Sequence, residues 1–133
     1  GIVVAAASRG CHVIYMDTRE SPLEGGSTTA EAAAGEAGDV MYFPADVTNP
    51  SDIECVISAA VAKYGRLDIF VNNAALDLTD PPHSLCQSLT TASLEDFERV
   101  QRVNTTGYFL GAQAAVKQFL KQAPRPQTGL RGK

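Results

Sequence analysis

With 133 residues, an apolar fraction of 44% and a net charge of −4, the chain has the size and composition of one small globular domain. The acidic balance without a basic run argues against a nucleic-acid partner, and no apolar run approaches the roughly 20 residues that a membrane-spanning helix needs. Three scattered cysteines, Cys11, Cys55 and Cys86, offer no metal-ligand spacing, and residues 1–17, lacking a basic n-region, are not expected to be a signal peptide. No metal site is expected, and the thiols are predicted to be reduced and structural, in a cytoplasmic setting.

Residues 2–9 read as the last turns of a helix stopped by Gly10. Residues 12–17 then form a strand that ends on Asp17. Pro22, Gly25 and Gly26 make 18–28 a loop, and the alanine-rich 29–37 is a short helix. Residues 39–43 form a second strand, followed by Pro44-Ala45-Asp46-Val47-Thr48. The clearest helix is 51–64. Pro50 precedes it, Ser51 and Glu54 suit a capping box, and Ile53, Val56, Ile57, Ala60, Val61 and Tyr64 share one face.

After Gly65 the stretch Leu67-Asp68-Ile69-Phe70-Val71-Asn72-Asn73-Ala74-Ala75 begins with an unbroken apolar run. Such a run suits a parallel strand covered on both faces. It stops on two carboxamides and two alanines, which is what an open α/β sheet presents at its ligand crevice. Residues 76–92 are a long polar loop with Pro81 and Pro82. Ser93 opens a second strong helix running to about Leu120, with Glu95 and Asp96 in its first turn. Leu94, Phe97, Val100, Val103, Gly107, Leu110 and Ala114 mark its expected buried stripe. The tail 123–133 carries proline and glycine. Strands alternate with helices, which predicts a parallel sheet with right-handed crossovers.

Four places carry candidate chemistry, each with a plainer alternative. The Asp17 carboxylate can take both hydroxyls of an adenosine ribose and repel a 2′-phosphate; otherwise it is a strand-end acid at a turn. Asp46 can accept from an adenine amino group while Val47 covers the ring; otherwise both are punctuation before a helix. Asn72 to Ala75 can line a polar site or cap a turn. Asn104 and Gly107 sit inside a helix that both disfavour, by up to about 1 kcal/mol for the glycine. They mark close packing or a functional kink, or else a solvent-facing amide beside a packing glycine. His12, His83 and the cysteines have no partner at catalytic spacing and read as structural or surface residues.

The order Gly10-Cys11-His12-Val13…Asp17, then Asp46-Val47-Thr48, then Asn72-Asn73-Ala74-Ala75, then Val103-Asn104-Thr105-Thr106-Gly107 resembles the classical short-chain dehydrogenase/reductase family over nearly the whole chain. The resemblance implies an α/β fold with a Rossmann-like doubly wound parallel sheet, and hydride transfer between a nicotinamide cofactor and a small-molecule alcohol or carbonyl. It implies that Asp17 selects NAD(H) over NADP(H), that Asp46 and Val47 hold adenine, and that Asn72 and Ala74 line the nucleotide. Asn104 would be the helical catalytic asparagine, whose backbone carbonyl anchors a water in a proton relay. A homo-oligomeric full-length parent is implied as well, since the long helix commonly lies in a subunit interface of this family.

The chain departs from the family pattern in two places. It contains no Gly-x-x-x-Gly-x-Gly turn to cradle a pyrophosphate. It also has no Tyr-x-x-x-Lys: four residues beyond Tyr15, Tyr42, Tyr64 and Tyr108 stand Arg19, Asp46, Asp68 and Ala112. Residues 1–133 therefore read as a partial NAD(P)-binding domain, an incomplete sheet lacking its first and its C-terminal strands. The catalytic serine would follow a strand beginning just after Lys133. The missing first strand would sit between 12–17 and 68–72, so the sheet is expected to be marginally stable; without the Tyr and Lys the isolated chain is expected to be inactive. The rival expectation is a non-catalytic, truncated protein that binds nucleotide or docks onto subunits.

Overall fold

A computed structural model describes residues 1–22, 25–76 and 90–133. In chain order the elements are α1 (Ile2–Ala7), β1 (Val13–Asp17), α2 (Thr29–Ala32), β2 (Val40–Pro44), α3 (Pro50–Tyr64), α4 (Leu94–Gln101), a π-helical segment (Arg102–Gly107) and α5 (Tyr108–Lys121). β1 and β2 pair in parallel, from Val13 opposite Val40 to Asp17 opposite Pro44. The strand–helix–strand order required by a parallel pair is met by α2. The helices form two contact sets: α1 touches α2, and α3 touches both β1 and α5. This is a partial Rossmann-like α/β fold.

α3 anchors the core. Ile53, Val56, Ile57 and Ala60 are buried at helical spacing, as their periodicity predicts, with Ile53 only 1% exposed. The remaining buried apolar residues are alanines: Ala7, Ala33, Ala45 and Ala115. The helix start differs from the expected capping box. Asn49 is the N-cap and accepts from the Ser51 amide at 3.1 Å, with Pro50 as the first helical residue. Proline fits that first position because its fixed φ is helical and its missing N–H would be unpaired there anyway. It also biases the residue before it to the extended conformation that an N-cap adopts. Gly65 ends the helix in a left-handed conformation. α2 is shorter than 29–37 and is opened by a capping box the sequence reading did not single out, Thr28 with Glu31.

The expected third strand, 67–72, is extended but joins no ladder with β1 or β2 among the described residues. Burial alternates strictly from Asp68 to Leu76. The even-numbered residues are half-buried and the odd-numbered ones exposed, with Ile69 at 58% and Val71 at 51%. One face is thus packed, not two. Among the described residues its backbone pairing is with the tail: the Lys133 amide donates to Asp68 O and the Phe70 amide to Lys133 O, both at 2.9 Å.

The long helix starts where expected, with the Ser93 hydroxyl accepting from the Asp96 amide. It is then interrupted by the π-helical turn, whose extra residue shifts the buried phase. Beyond the turn the buried line is Gly107, Gly111 and Ala115, flanked by half-buried Leu110 and Ala114. Leu94 and Phe97, expected inside, are 71% and 52% exposed. Cys11 and Cys55 are exposed free thiols, not packed ones. Most of the predicted loop 76–92, with His83 and Cys86, lies outside the described residues. Among the described residues, no helix is long and apolar enough to cross a membrane.

Candidate functional site

The sequence-predicted residues lie where the extended segments end. Asp17 closes β1 and is exposed. Its Oδ1 accepts from the Arg19 amide at 3.1 Å and the Thr18 hydroxyl at 3.4 Å. Among the described residues nothing donates to Oδ2. Its backbone carbonyl takes the Tyr42 hydroxyl at 2.9 Å and the Ala45 amide at 3.1 Å. Those two bonds tie the end of β1 to the segment carrying Asp46. Burial, and then the charge of Asp17, hold the Tyr42 phenol above its ordinary pKa, so it remains a donor at neutral pH.

Asp46 does local work. Its Oδ1 accepts from both the amide and the hydroxyl of Thr48, at 2.8 Å each, and its own amide donates to Asp52 Oδ2 at 2.9 Å. This turn leads the chain into α3, so the helix-entry alternative is realised in the geometry. Oδ2 is left without a donor among the described residues. Val47, next in sequence, is half-buried and packs on the buried Gly107. A Cβ at residue 107 would lie 3.0 Å from Val47 Cγ2 and 3.3 Å from its carbonyl oxygen. A Cβ there would be tightly packed, so the glycine eases the close approach of the π-helical turn to the β2–α3 loop.

The turn itself and the start of α5 hold the other two sites. Asn104 Nδ2 donates to Leu76 O and its Oδ1 accepts from the Leu76 amide, both at 2.8 Å. The carboxamide thus reads one backbone unit with both of its hydrogen-bonding ends. It is neither solvent-facing nor free to act as a side-chain acid. Asn72 Nδ2 donates to the Tyr108 carbonyl at 3.2 Å. Gly111 makes room for it, since a Cβ there would meet Asn72 Oδ1 at 2.5 Å and a Phe70 ring carbon at 2.8 Å. Ala74, half-buried, lies between these two anchor points.

Val47 packs on Gly107 and Asn104 projects from the π-helical turn, Asn72 is held by the first turn of α5, and Ala74 lies on the segment between Asn72 and Leu76, while Asp17 and Asp46 sit at neighbouring strand ends. Sequence reasoning missed Thr48, Leu76 and Gly111 as partners. Gly111 alone left a local signal, as a second glycine one helical turn past Gly107. His12 is structural: it stacks on Tyr64 with ring centroids 4.8 Å apart, and its Nδ1 accepts from the Asp39 amide. Among the described residues no His, Cys, Asp or Glu cluster could hold a metal.

A Rossmann-like α/β fold with small and amide residues at its strand ends defines the structural class. Comparison with known proteins then supplies the family. The family model described as enoyl-(acyl carrier protein) reductase matches residues 1–125. The chain is 35% identical over 108 residues to momilactone A synthase of Oryza sativa subsp. japonica, covering 81% of this chain and 36% of that protein. It is 35% identical over 102 residues to glucose 1-dehydrogenase 2 of Bacillus subtilis, covering 76% and 37%. A short-chain dehydrogenase/reductase from Mycobacterium marinum of known structure superposes with a TM-score of 0.76 at 29% identity, over 91% of this chain and 45% of that one. The chain belongs to the short-chain dehydrogenase/reductase family, whose members use nicotinamide cofactors. It spans less than half the length of the relatives it matches.

Proposed function

We propose that residues 1–133 are a partial NAD(P)-binding domain and supply the adenosine-binding part of an oxidoreductase acting on a hydroxyl or carbonyl group of a small molecule, with NAD(H) preferred over NADP(H). The observation that carries this reading is that Val47 and Asn104 meet at the π-helical turn and Asn72 at the start of α5 that follows it, beside two strand-end carboxylates, Asp17 and Asp46, that each keep one oxygen without a donor among the described residues. Asp17 takes the ribose hydroxyls through Oδ2, and its charge disfavours a 2′-phosphate. Asp46 Oδ2 accepts from the adenine amino group, and Val47 covers the ring. Asn72 and Ala74 line the nucleotide beyond it. Asn104 holds Leu76 by its side chain and serves the reaction through its backbone carbonyl. The bound nicotinamide supplies a hydride acceptor or donor. A general acid–base group must lie within reach of the reacting proton, and the 133 residues contain no Tyr-x-x-x-Lys to provide it. The isolated chain is accordingly inactive, and its setting is cytoplasmic.

NADH fluorescence titration, with NAD+ and NADP+ as competitors, tests this reading. NAD+ should compete better than NADP+, and Asp17→Ala should weaken NAD+ and close the gap. Equal competition by the two nucleotides, or an Asp17→Ala variant that behaves as the unaltered chain, contradicts it.

A second reading, docking onto a second copy of the chain or a full-length subunit, is favoured by one specific feature. Phe109, Val116 and Leu120 project from one side of α5 at 62%, 52% and 69% exposure. Sedimentation of the unaltered chain against Phe109→Ser checks it: a dimer that the substitution disperses supports docking, and a monomer at high concentration rejects it.

A further inference from the structure

We propose that Asp68 and Arg125 form a register clamp that sets which face of residues 68–76 turns toward α5, and so position Asn72. The clamp's relevance to function rests on the nucleotide reading above.

Asp68 holds the tail in two ways. Its carboxylate receives a fork from Arg125, Nε to Oδ1 at 2.9 Å and Nη2 to Oδ2 at 2.5 Å, together with Arg66 Nε at 2.7 Å. Its carbonyl takes the Lys133 amide. Between these two grips the tail closes on itself. The Arg125 amide donates to Leu130 O, the Gly129 amide donates to Arg125 O, and the Arg131 guanidinium donates to Gln122 O. Gln122 fixes the start of the extended segment, accepting from the Leu67 amide and donating to its carbonyl. Arg66 reaches the carbonyls of Ala123 and Arg131. Nearly all the polar groups of the tail that meet 66–70 are thus committed to one alignment.

The alignment matters because side chains alternate along an extended segment. A slip of one residue would turn Phe70, Asn72 and Ala74 outward and bring Ile69, Val71 and Asn73 against α5. Gly111 is shaped for Phe70 and Asn72, with no room even for a methyl group beside them. The backbone bonds to Lys133 hold the segment at Asp68 and Phe70. The bidentate arginine–carboxylate pair adds a directional constraint from a side chain. The guanidinium of Arg125, followed by that of Arg66, also holds the Asp68 carboxyl below its ordinary pKa, so the clamp is charged at neutral pH.

Amide hydrogen exchange measured by NMR on the 133-residue chain and on Arg125→Gln and Arg125→Lys tests the clamp. In Arg125→Gln the Phe70 and Lys133 amides should exchange about fivefold faster, the scale of a partly exposed ion pair. The Asn72 side-chain amide resonance should move, while the α3 amide of Ala60 keeps its rate. Arg125→Lys keeps the charge but not the fork, and should fall between the two. Unchanged rates at Phe70 and Lys133, or rates that change only in step with Ala60, overturn the proposal. An NAD+ titration of Asn72→Ala separates the two claims. Unaltered affinity in that variant removes the nucleotide role of Asn72, while the exchange rates still decide the clamp.

Discussion

The β1–β2 pair and the segment 67–76 are both extended, yet they are held by different forces. β1 and β2 share a five-residue parallel ladder, backbone to backbone. Among the described residues, 67–76 have one backbone bridge and are pinned by side chains from far along the chain: Gln122 on Leu67, Arg125 on Asp68, Asn104 on Leu76, with Asn72 reaching Tyr108. A ladder spreads its support over every residue and tolerates the loss of any one side chain. A pinned segment depends on a few named groups, and here two of them, Asn72 and Asn104, belong to the candidate site.

That contrast can be broken from either side. The largest effect should come from the packed side, where Ile53→Ala empties the one large, fully buried position under the ladder. A loss of about 3 kcal/mol is expected in urea denaturation, enough to abolish a cooperative transition in this chain. A pair of strands packed on a few helices is marginal to begin with. Thermal unfolding of the unaltered polypeptide should accordingly be complete not far above room temperature, and a sharp transition well above it would contradict the description of an incomplete sheet.

On the pinned side, Asn104→Ala removes both bonds to Leu76 and leaves a half-buried amide and carbonyl unpaired. The expected cost is about 2 kcal/mol, with exchange of the Leu76 amide accelerating while β1 amides remain protected. Uniform acceleration across the ladder would show that the two regions are one unit. Asn49→Ala should cost about 1 kcal/mol through loss of the α3 cap. Ser51→Ala should cost little, and a reversal of that order would reinstate the Ser51 capping box.

The smallest effect is electrostatic. Asp39 is held below its ordinary pKa by Lys63 and then Tyr64, and Asp68 by Arg125 and then Arg66. Both folded-state pKa values are depressed, so these pairs stabilise fully above the unfolded carboxylate value of about 3.9. That contribution fades as pH falls through the lower folded-state values. The pairs are largely solvent-screened. An acid titration of stability should therefore show a shallow loss below about pH 4, reduced in Asp68→Asn.

Much of this was legible in the sequence. The α3 face, the Gly65 stop, the Ser93 cap and the oddness of Asn104 and Gly107 are local signals, readable from spacing and propensity. What was not legible depended on partners distant in sequence. Ile69, Phe70 and Val71 are equally apolar, so no pattern within the run says that only Phe70 packs. That is decided by Gly111 and by what does not cover the other face. The Asp68–Arg125 pair spans 57 residues and has no periodicity. Pro50 hid the cap at Asn49, because a proline reads as a boundary whether it precedes a helix or opens it. The π-helical turn left two poor helix formers as its only trace and moved the buried stripe of α5 by one residue.

The measurement that bears most directly on the account is an NAD+ titration of the isotopically labelled chain followed by backbone amide shifts. The account predicts shifts concentrated at Asp17, Asp46, Val47, Asn72, Ala74 and Asn104, with β1 residues before Asp17 and the outer face of α5 unmoved. Shifts confined to the tail around Arg125 and Leu130, or spread evenly over the chain, would contradict it.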